Sequence, residues 1–434
     1  MNSCFEGYVD LLNRCIDCSC GRNHSVPIKK VVVEKDAIKQ LDKILQQLGL
    51  GTFIHVVMDI NTCEIAGNQI VELLRKAERK VSTTVFKTKD LIADEKALEV
   101  LLSALEEQVD CLVAVGSGTI NDLSRYAAYK LGKPYVIVAT APSMDGYASS
   151  VSPLVINGFK RTYSADAPLA IIGDVNILSQ APESMIVAGF GDLLGKITCQ
   201  CDWKLGRLLH EEYYCEYVSS LINKAVEICT KNIYGLKNRE EQAVESLMHG
   251  LILSGIGMLM VGNSRPASGC EHHLSHFWEM KYIQEGRKQL LHGQKVGVAT
   301  VIMAEYYNKL KLLDKDQVKN LLSCKKPVSN EDRIKQIKES FGSIAEEVIR
   351  ENFSENISNQ DEEEITEKWN HIRQILEKVP ESAQVKSFLQ AVNAPSTPEE
   401  LGITPDLAEE GIRNCMYVRN RYTVLRVADT LGLL

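Results

Sequence analysis

The residues with the most chemistry to offer lie between Asn263 and Gly293. They run Ser264-Arg-Pro-Ala-Ser-Gly-Cys-Glu-His272-His273-Leu-Ser-His276, with His292-Gly293 following in a short Leu-His-Gly segment. Four of the nine histidines of the chain fall in this stretch. His272 and His276 have the i, i+4 spacing that puts both imidazoles on one helix face, a turn apart. Imidazoles arriving from two elements suit a divalent transition metal, provided an anionic ligand exists elsewhere. His273 follows His272 by about 100° around a helix and is expected to point away.

Asp192, in Gly189-Phe-Gly-Asp-Leu-Leu-Gly-Lys196, is the candidate anion. An Asp/His/His set leaves positions open for substrate or water, as a catalytic metal requires. Asp192 and Lys196 would share a face of a helix continuing through Trp203. The bland alternative is a solvated Asp–Lys pair, but the neighbours are too apolar and glycine-rich for a wet surface. His249 reads as a hydrogen-bonded core residue of an apolar helix, and His24, His55, His210 and His371 have no partners in sequence.

These side chains need elements to hold them. Over the first 180 residues, short β-branched runs alternate with amphipathic segments. Strands are expected at Val31–Val33, Phe53–Met58, Thr83–Phe86, Cys111–Val115 and Tyr135–Ala139, the last closing the series. Helices are expected at Asp36–Leu50, Gly67–Val81, Leu98–Gln108 and Ile120–Leu131. Such alternation implies a mostly parallel sheet covered on both faces. Beyond Pro182 the 3.6-residue period takes over, as in Ala243–Met260 and Lys295–Leu312. The expected division is therefore an α/β domain of residues 1–180 and an all-α domain of residues 181–434 containing the histidines.

The strand Cys111–Val115 runs straight into Gly116-Ser117-Gly118-Thr-Ile-Asn-Asp122 and then a helix. Glycines at a strand-to-helix turn let backbone approach a phosphate, and the helix start offers N–H groups and a favourable dipole. A Gly-x-Gly alone is weak, and no full dinucleotide fingerprint or Walker loop is present. Asp59, ending its strand, could accept hydrogen bonds from a ribose diol; alternatively it is a helix N-cap. Thr140-Ala-Pro-Ser143-Met-Asp145-Gly146 leaves the next strand with hydroxyls and a carboxylate at its carboxyl end, where α/β sheets bind ligands.

The bulk properties narrow the choices. A chain of 434 residues exceeds one ordinary hydrophobic core. Its net charge of -8 disfavours nucleic acid and anionic membranes as partners. No apolar run reaches the roughly 18–20 residues that spanning a bilayer requires, and the charged residues within Met1–Cys20 do not read as a signal peptide. Thirteen scattered cysteines read as reduced thiols of a cytoplasmic protein. Cys15, Cys18 and Cys20, with His24 behind, form the one tempting thiol cluster. No second pair of matching spacing follows, so ordinary thiols are expected.

Together, GSGTIND, TAPSMDG, GFGD-x3-K-x6-DW, SRPASGCEHHLSH and LHGQKVGVA resemble the sn-glycerol-1-phosphate dehydrogenases, specifically the bacterial branch encoded near arabinose-utilisation genes. The wider group comprises iron-containing alcohol dehydrogenases, glycerol dehydrogenase and dehydroquinate synthase. The likeness extends from about residue 15 to beyond 310, and the SRPASG-x-EHHLSH block is its most specific part. It implies a Rossmann-like N-terminal domain, a helical C-terminal domain and an active site in the cleft between them. The implied reaction interconverts dihydroxyacetone phosphate and sn-glycerol 1-phosphate with NAD(H) or NADP(H) and one divalent metal, zinc or nickel, with iron a further option.

Carried over by motif, Asp192, His272 and His292 are the implied metal ligands. His276 lies beside the nicotinamide as the proton-transfer candidate. Gly116, Ser117, Gly118 and Asp122 hold the pyrophosphate and nicotinamide side, Thr140, Ser143 and Asp145 line the cofactor cleft, and Asp59 takes the adenosine ribose. Lys196, with His276 a catalytic candidate, is also a candidate for the substrate phosphate together with Arg265, with Lys160 and Arg161 in reserve. There are departures. Ser117 replaces a third glycine of many relatives, and Lys196 stands where iron-dependent alcohol dehydrogenases have a histidine, which speaks against three-histidine iron. Residues after about 315 match no motif. The alternatives are a glycerol, polyol or other phosphorylated-carbonyl dehydrogenase of the same fold, or a dehydroquinate synthase-like lyase that recycles its NAD. A homodimer acting on a small molecule in the cytoplasm is expected.

Overall fold

The structure, a computed structural model, describes residues 6–156, 159–325, 328–353 and 360–434. The chain forms two compact units. One comprises Met1–Leu193 and Ser220–Asn263, the other Leu194–Ser219 and Ser264–Leu434.

The first unit is built on six parallel strands: β1 (Lys30–Glu34), β2 (Phe53–Asp59), β3 (Lys80–Phe86), β4 (Cys111–Gly116), β5 (Tyr135–Ala139) and β6 (Ala170–Asp174). Their order across the sheet is β1-β6-β5-β4-β2-β3. β2, β4, β5 and β6 lie inside the sheet and are apolar nearly throughout, as strands covered on both faces must be. The strand order reverses between β2 and β4, whose carboxyl ends carry Asp59 and Gly116. That is the switch point where open α/β sheets bind ligands.

Two sequence expectations need correction here. The strand series does not close at Tyr135–Ala139, because β6 inserts between β1 and β5. Its five residues, Ala-Ile-Ile-Gly-Asp, are too few for periodicity to separate a strand from a buried helical turn. The expected helix Gly67–Val81 also stops at Lys76, and Lys80 and Val81 open β3 instead.

The domain boundary at residue 180 is displaced as well. Residues up to Leu193 and the segment Ser220–Asn263 join the sheet-containing unit. The reason is the helix Glu241–Val261, fifteen of whose residues are buried, thirteen of them apolar or glycine. It packs on the strand Asn23–Val26, on β1 and on the turn Gly146–Ala148. A Cβ at its Gly255 would come 2.6 Å from the Asp145 carbonyl oxygen, so glycine is what permits the approach. This helix is long and apolar enough to cross a membrane, but 72% of its most apolar window is buried within the fold.

The second unit holds no strand among its described residues. Its central Asp202 gathers segments distant in sequence: Oδ1 accepts from Tyr307 Oη at 2.6 Å and Val424 N at 2.7 Å, and Oδ2 from Cys270 N at 2.7 Å. Burial, then the nearby Glu271 carboxylate, raises Asp202 to about 6.

Candidate active site

In the first unit, β4 passes through Gly116 and Ser117 into helix α1 (Gly118–Lys130). A Cβ at Gly116 would lie 2.6 Å from Ile120 Cβ, so the close turn requires glycine. Ser117 occupies the N-cap without a side-chain capping bond. Asp59 does cap: its Oδ1 accepts from Asn61 N and Thr62 N, both at 2.8 Å, and Thr62 completes the capping box. The capping alternative weighed from sequence is thus present, with both bonds on one carboxylate oxygen.

Asp122 sits one turn into α1, its Oδ1 2.9 Å from Arg125 Nη1. Burial raises Asp122 to about 6 despite the opposing pull of Arg125 and Lys160. Arg125 went unnoticed in the sequence. It is fully buried and donates to Tyr135 Oη at 2.8 Å, to Val151 O at 2.7 Å, and to the Gly146 carbonyl. It fastens the Thr140–Gly146 loop to α1. With Asn121, Asp122 and Ser124 on the same helix, nothing local marked Arg125 as buried.

Within that loop Thr140, Ser143 and Asp145 are all buried. Thr140 N donates to Gly116 O at 3.1 Å, joining the two expected cofactor loops. Asp145 Oδ2 accepts from Ser254 Oγ at 2.8 Å, and Asp145 N donates to Asp192 Oδ2 at 2.9 Å. Asp192 lies on helix α2 (Glu183–Leu194) and is fully buried. A Cβ at Gly189, three residues earlier, would stand 1.8 Å from Pro142 O, so the helix and the loop are in backbone contact. The reserve cations Lys160 and Arg161 lie on the hairpin strand Phe159–Ser164.

The second unit opens with helix α3 (Lys196–His210). The uninterrupted helix expected through Trp203 breaks for one residue at Gly195, which keeps helical dihedrals. Lys196 is fully buried, its Nζ donating to Ala267 O at 3.0 Å. The histidines lie on helix α4 (Cys270–Gln284) and at the first position of α5 (His292–Leu310). Their rings do converge: His272–His292 centroids are 5.2 Å apart, His276–His292 5.5 Å and His272–His276 6.1 Å.

Each of two imidazoles has a carboxylate behind it. His272 Nδ1 meets Glu271 Oε1 at 2.7 Å, a pairing that would make Nε2 the nitrogen offered to a cation. Glu271 is fully buried and also accepts from Gly269 N and Thr198 Oγ1, both at 2.7 Å. Burial alone would raise this carboxyl. The hydrogen bonds from His272, Thr198 and Gly269 overcome that and hold it below its ordinary value. His276 Nδ1 meets Glu279 Oε2 at 3.1 Å, while Glu279 Oε1 pairs with Lys295 Nζ at 3.1 Å. Glu271 and Glu279 were both missed, although each lies within three residues of a histidine it supports. A buried imidazole backed by carboxylate fits a divalent cation well, because the carboxylate fixes the tautomer and raises ligand basicity.

One expectation changes in this unit. Arg265 is no spare cation: it pairs bidentately with Glu212 at 2.7 and 2.8 Å and donates to the carbonyls of Asp202 and Tyr422 at 2.9 and 2.7 Å. It braces the unit. His273, expected to point away from the His272 face, is fully buried. Burial, then Arg421, Arg419 and Arg265, pushes it well below its ordinary value, so it is neutral. The thiol cluster of the first unit brings Cys20 Sγ to 3.4 Å from His24 Nε2, while His24 Nδ1 meets Met260 O.

A parallel six-stranded sheet in one unit and two carboxylate-backed histidines in a helical second unit define the class. Residues 32–182 match the family model described as iron-containing alcohol dehydrogenase. A probable glycerol dehydrogenase from Sinorhizobium meliloti shares the fold, with a TM-score of 0.60 over 93% of this chain and 96% of that one at 16% identity. Sequence relatives are more specific. The chain is 33% identical to glycerol-1-phosphate dehydrogenase (NAD(P)+) of Geobacillus stearothermophilus over 99% of both chains, and 33% identical to that of Halalkalibacterium halodurans over 94% of both. The chain belongs to the glycerol-1-phosphate dehydrogenase family.

Proposed function

We propose that this chain interconverts dihydroxyacetone phosphate and sn-glycerol 1-phosphate, with NAD(H) or NADP(H) as the hydride partner and one divalent metal. The observation that carries the proposal is the near-full-length match to relatives bearing that name, in a chain whose histidines have the carboxylate support a catalytic metal requires. Asp192, His272 and His292 would hold the metal. When bound, the metal supplies Lewis acidity toward the ketone oxygen, and the nicotinamide supplies or accepts hydride at the neighbouring carbon.

The chain's own residues do the rest. Gly116, Ser117 and Gly118 present backbone to a pyrophosphate at the start of α1, Asp122 and Arg125 fix the turn behind it, and Thr140, Ser143 and Asp145 line the nicotinamide side. Asp59 would offer its second oxygen to the ribose diol. His276, oriented by Glu279 through Nδ1, would exchange the proton of the alcohol through Nε2. Lys196 would contribute a buried positive charge for the anionic substrate. We further read the chain as cytoplasmic, its thirteen scattered cysteines being reduced thiols, and as a homodimer.

An NADH-oxidation assay comparing dihydroxyacetone phosphate with dihydroxyacetone, with chiral analysis of the product and elemental analysis of the protein, tests this. Oxidation with the phosphorylated ketone, giving sn-glycerol 1-phosphate, is expected. Equal turnover of both ketones would shift the reading to a polyol dehydrogenase, and no NADH consumption with either would point to the lyase alternative.

A further inference from the structure

We infer that Arg419 and Arg421, with Ser264, Ser268 and His273, form an anion site that receives the phosphate monoester of the substrate. This rests on the proposed function for the identity of the anion, but the site itself is argued from its own chemistry. Two irregular segments of the helical unit meet here: the turn around Arg265–Ala267 and the stretch between Tyr417 and Val424. Arg419 Nη1 and Arg421 Nη2 both donate to Ser264 Oγ at 3.0 Å, and Arg421 Nη1 donates to Ser268 O at 3.0 Å. Two guanidinium ions therefore converge on one hydroxyl.

Like charges this close ordinarily bring a carboxylate with them. Among the described residues, neither arginine has an ion-pair partner. The acidic groups that act on them from a distance are otherwise engaged or exposed. Glu212 is bound to Arg265, Glu279 to His276 and Lys295, and Glu351 lies on the surface. Burial, then Arg419 and Arg265, draws Arg421 down to about 9. A guanidinium does not surrender its proton in a protein, so this measures electrostatic stress that a bound anion would relieve.

The donors are in place for such an anion. Ser264 Oγ accepts two N–H groups, which leaves its O–H to donate outward. Ser268 Oγ and both ring nitrogens of His273 are buried with no hydrogen-bond partner among the described residues. Hydroxyls, a buried imidazole and two planar forks match a tetrahedral dianion far better than they match a carbonyl or an apolar group.

The test uses the full-length protein with Arg421→Gln, Arg421→Lys and Ser264→Ala. Inorganic phosphate binding, followed by titration calorimetry, should weaken roughly 10- to 100-fold in R421Q, the loss expected for a charged hydrogen-bonded pair. It should weaken less in R421K. In turnover, the KM for dihydroxyacetone phosphate should rise by a similar factor, while kcat/KM for unphosphorylated dihydroxyacetone stays unchanged. Should R421Q not fold, R421K and S264A carry the same comparison. Phosphate binding equal to wild type in the folded variants would overturn the site. A change confined to the NADPH-to-NADH preference would overturn its assignment to the substrate, giving it to the cofactor's 2′-phosphate. If the wild type turns over neither ketone but binds phosphate in an Arg421-dependent way, the proposed function fails and the anion site stands.

Discussion

The two units handle buried polar groups in opposite ways. Around the switch point of the sheet, polar side chains mostly serve backbone. Asp59 caps a helix, Arg125 binds loop carbonyls, and Asp192 accepts from Asp145 N. In the helical unit, charged side chains support one another: Glu271 behind His272, Glu279 between His276 and Lys295, Glu212 on Arg265. The first arrangement makes a stiff cradle whose shape is set by main chain. The second makes a set of tuned charges whose ionisation depends on each neighbour. A dehydrogenase that needs both a positioned cofactor and a cation-supported carbonyl has use for each.

That contrast predicts where the largest loss lies. His292→Ala or Asp192→Ala should abolish bound metal and activity together, measured by elemental analysis and NADH oxidation. Retained activity in a metal-free variant would remove both from the ligand set. Glu271→Gln is the graded version, because it leaves the imidazole and withdraws only the charge behind it. Metal affinity should fall by about 10- to 100-fold. An unchanged affinity would mean that Glu271 serves the fold alone, through Thr198 and Gly269.

How legible each unit was in the sequence follows from the same difference. The sheet could be read because its strands are continuous apolar runs ending at Gly116 and Thr140, and the helical texture after Pro182 could be read from its period. What failed was where helices belong. Glu241–Val261 joins the first unit, and no local pattern tells which core a mostly apolar helix fills. Helix α4 hid its supports for a different reason. Glu271, His272, His273, Ser275 and Glu279 are all buried on it, so it has almost no amphipathic signature and burial could not be inferred from polarity. The motif residues were found by type and spacing. Their partners, Glu271, Glu279, Arg125, Arg419 and Arg421, depend on contacts that only the folded chain makes.

A smaller effect probes the main-chain cradle. Gly189→Ala places a methyl group where the Pro142 carbonyl oxygen now stands. The loop must retreat, at a cost of about 1–3 kcal/mol typical of overpacking. Thermal unfolding should show the loss, and the KM for NADH should rise as Thr140–Gly146 shifts. A stability loss with unchanged cofactor binding would separate the loop from the cofactor site.

The smallest effect separates the two kinds of polar burial by pH. Asp122 in the cradle has a folded-state value of about 6 against an ordinary 3.8, with burial as the main cause. Between those values the folded chain holds this proton and the unfolded chain releases it, so stability falls as pH rises from about 4 to about 6. Asp122→Asn removes that slope. It also withdraws a partner from buried Arg125, so the overall level of stability should drop even as its pH dependence flattens. Asp202 likewise lies at about 6, but it accepts three hydrogen bonds that an amide could satisfy only in part. Asp202→Asn should therefore cost more stability than Asp122→Asn. Denaturant midpoints from pH 4.5 to 6.5 for both variants and the wild type decide the matter. If D122N keeps the wild-type slope, the Asp122 carboxyl is ionised in the fold and Arg125, rather than burial, governs it.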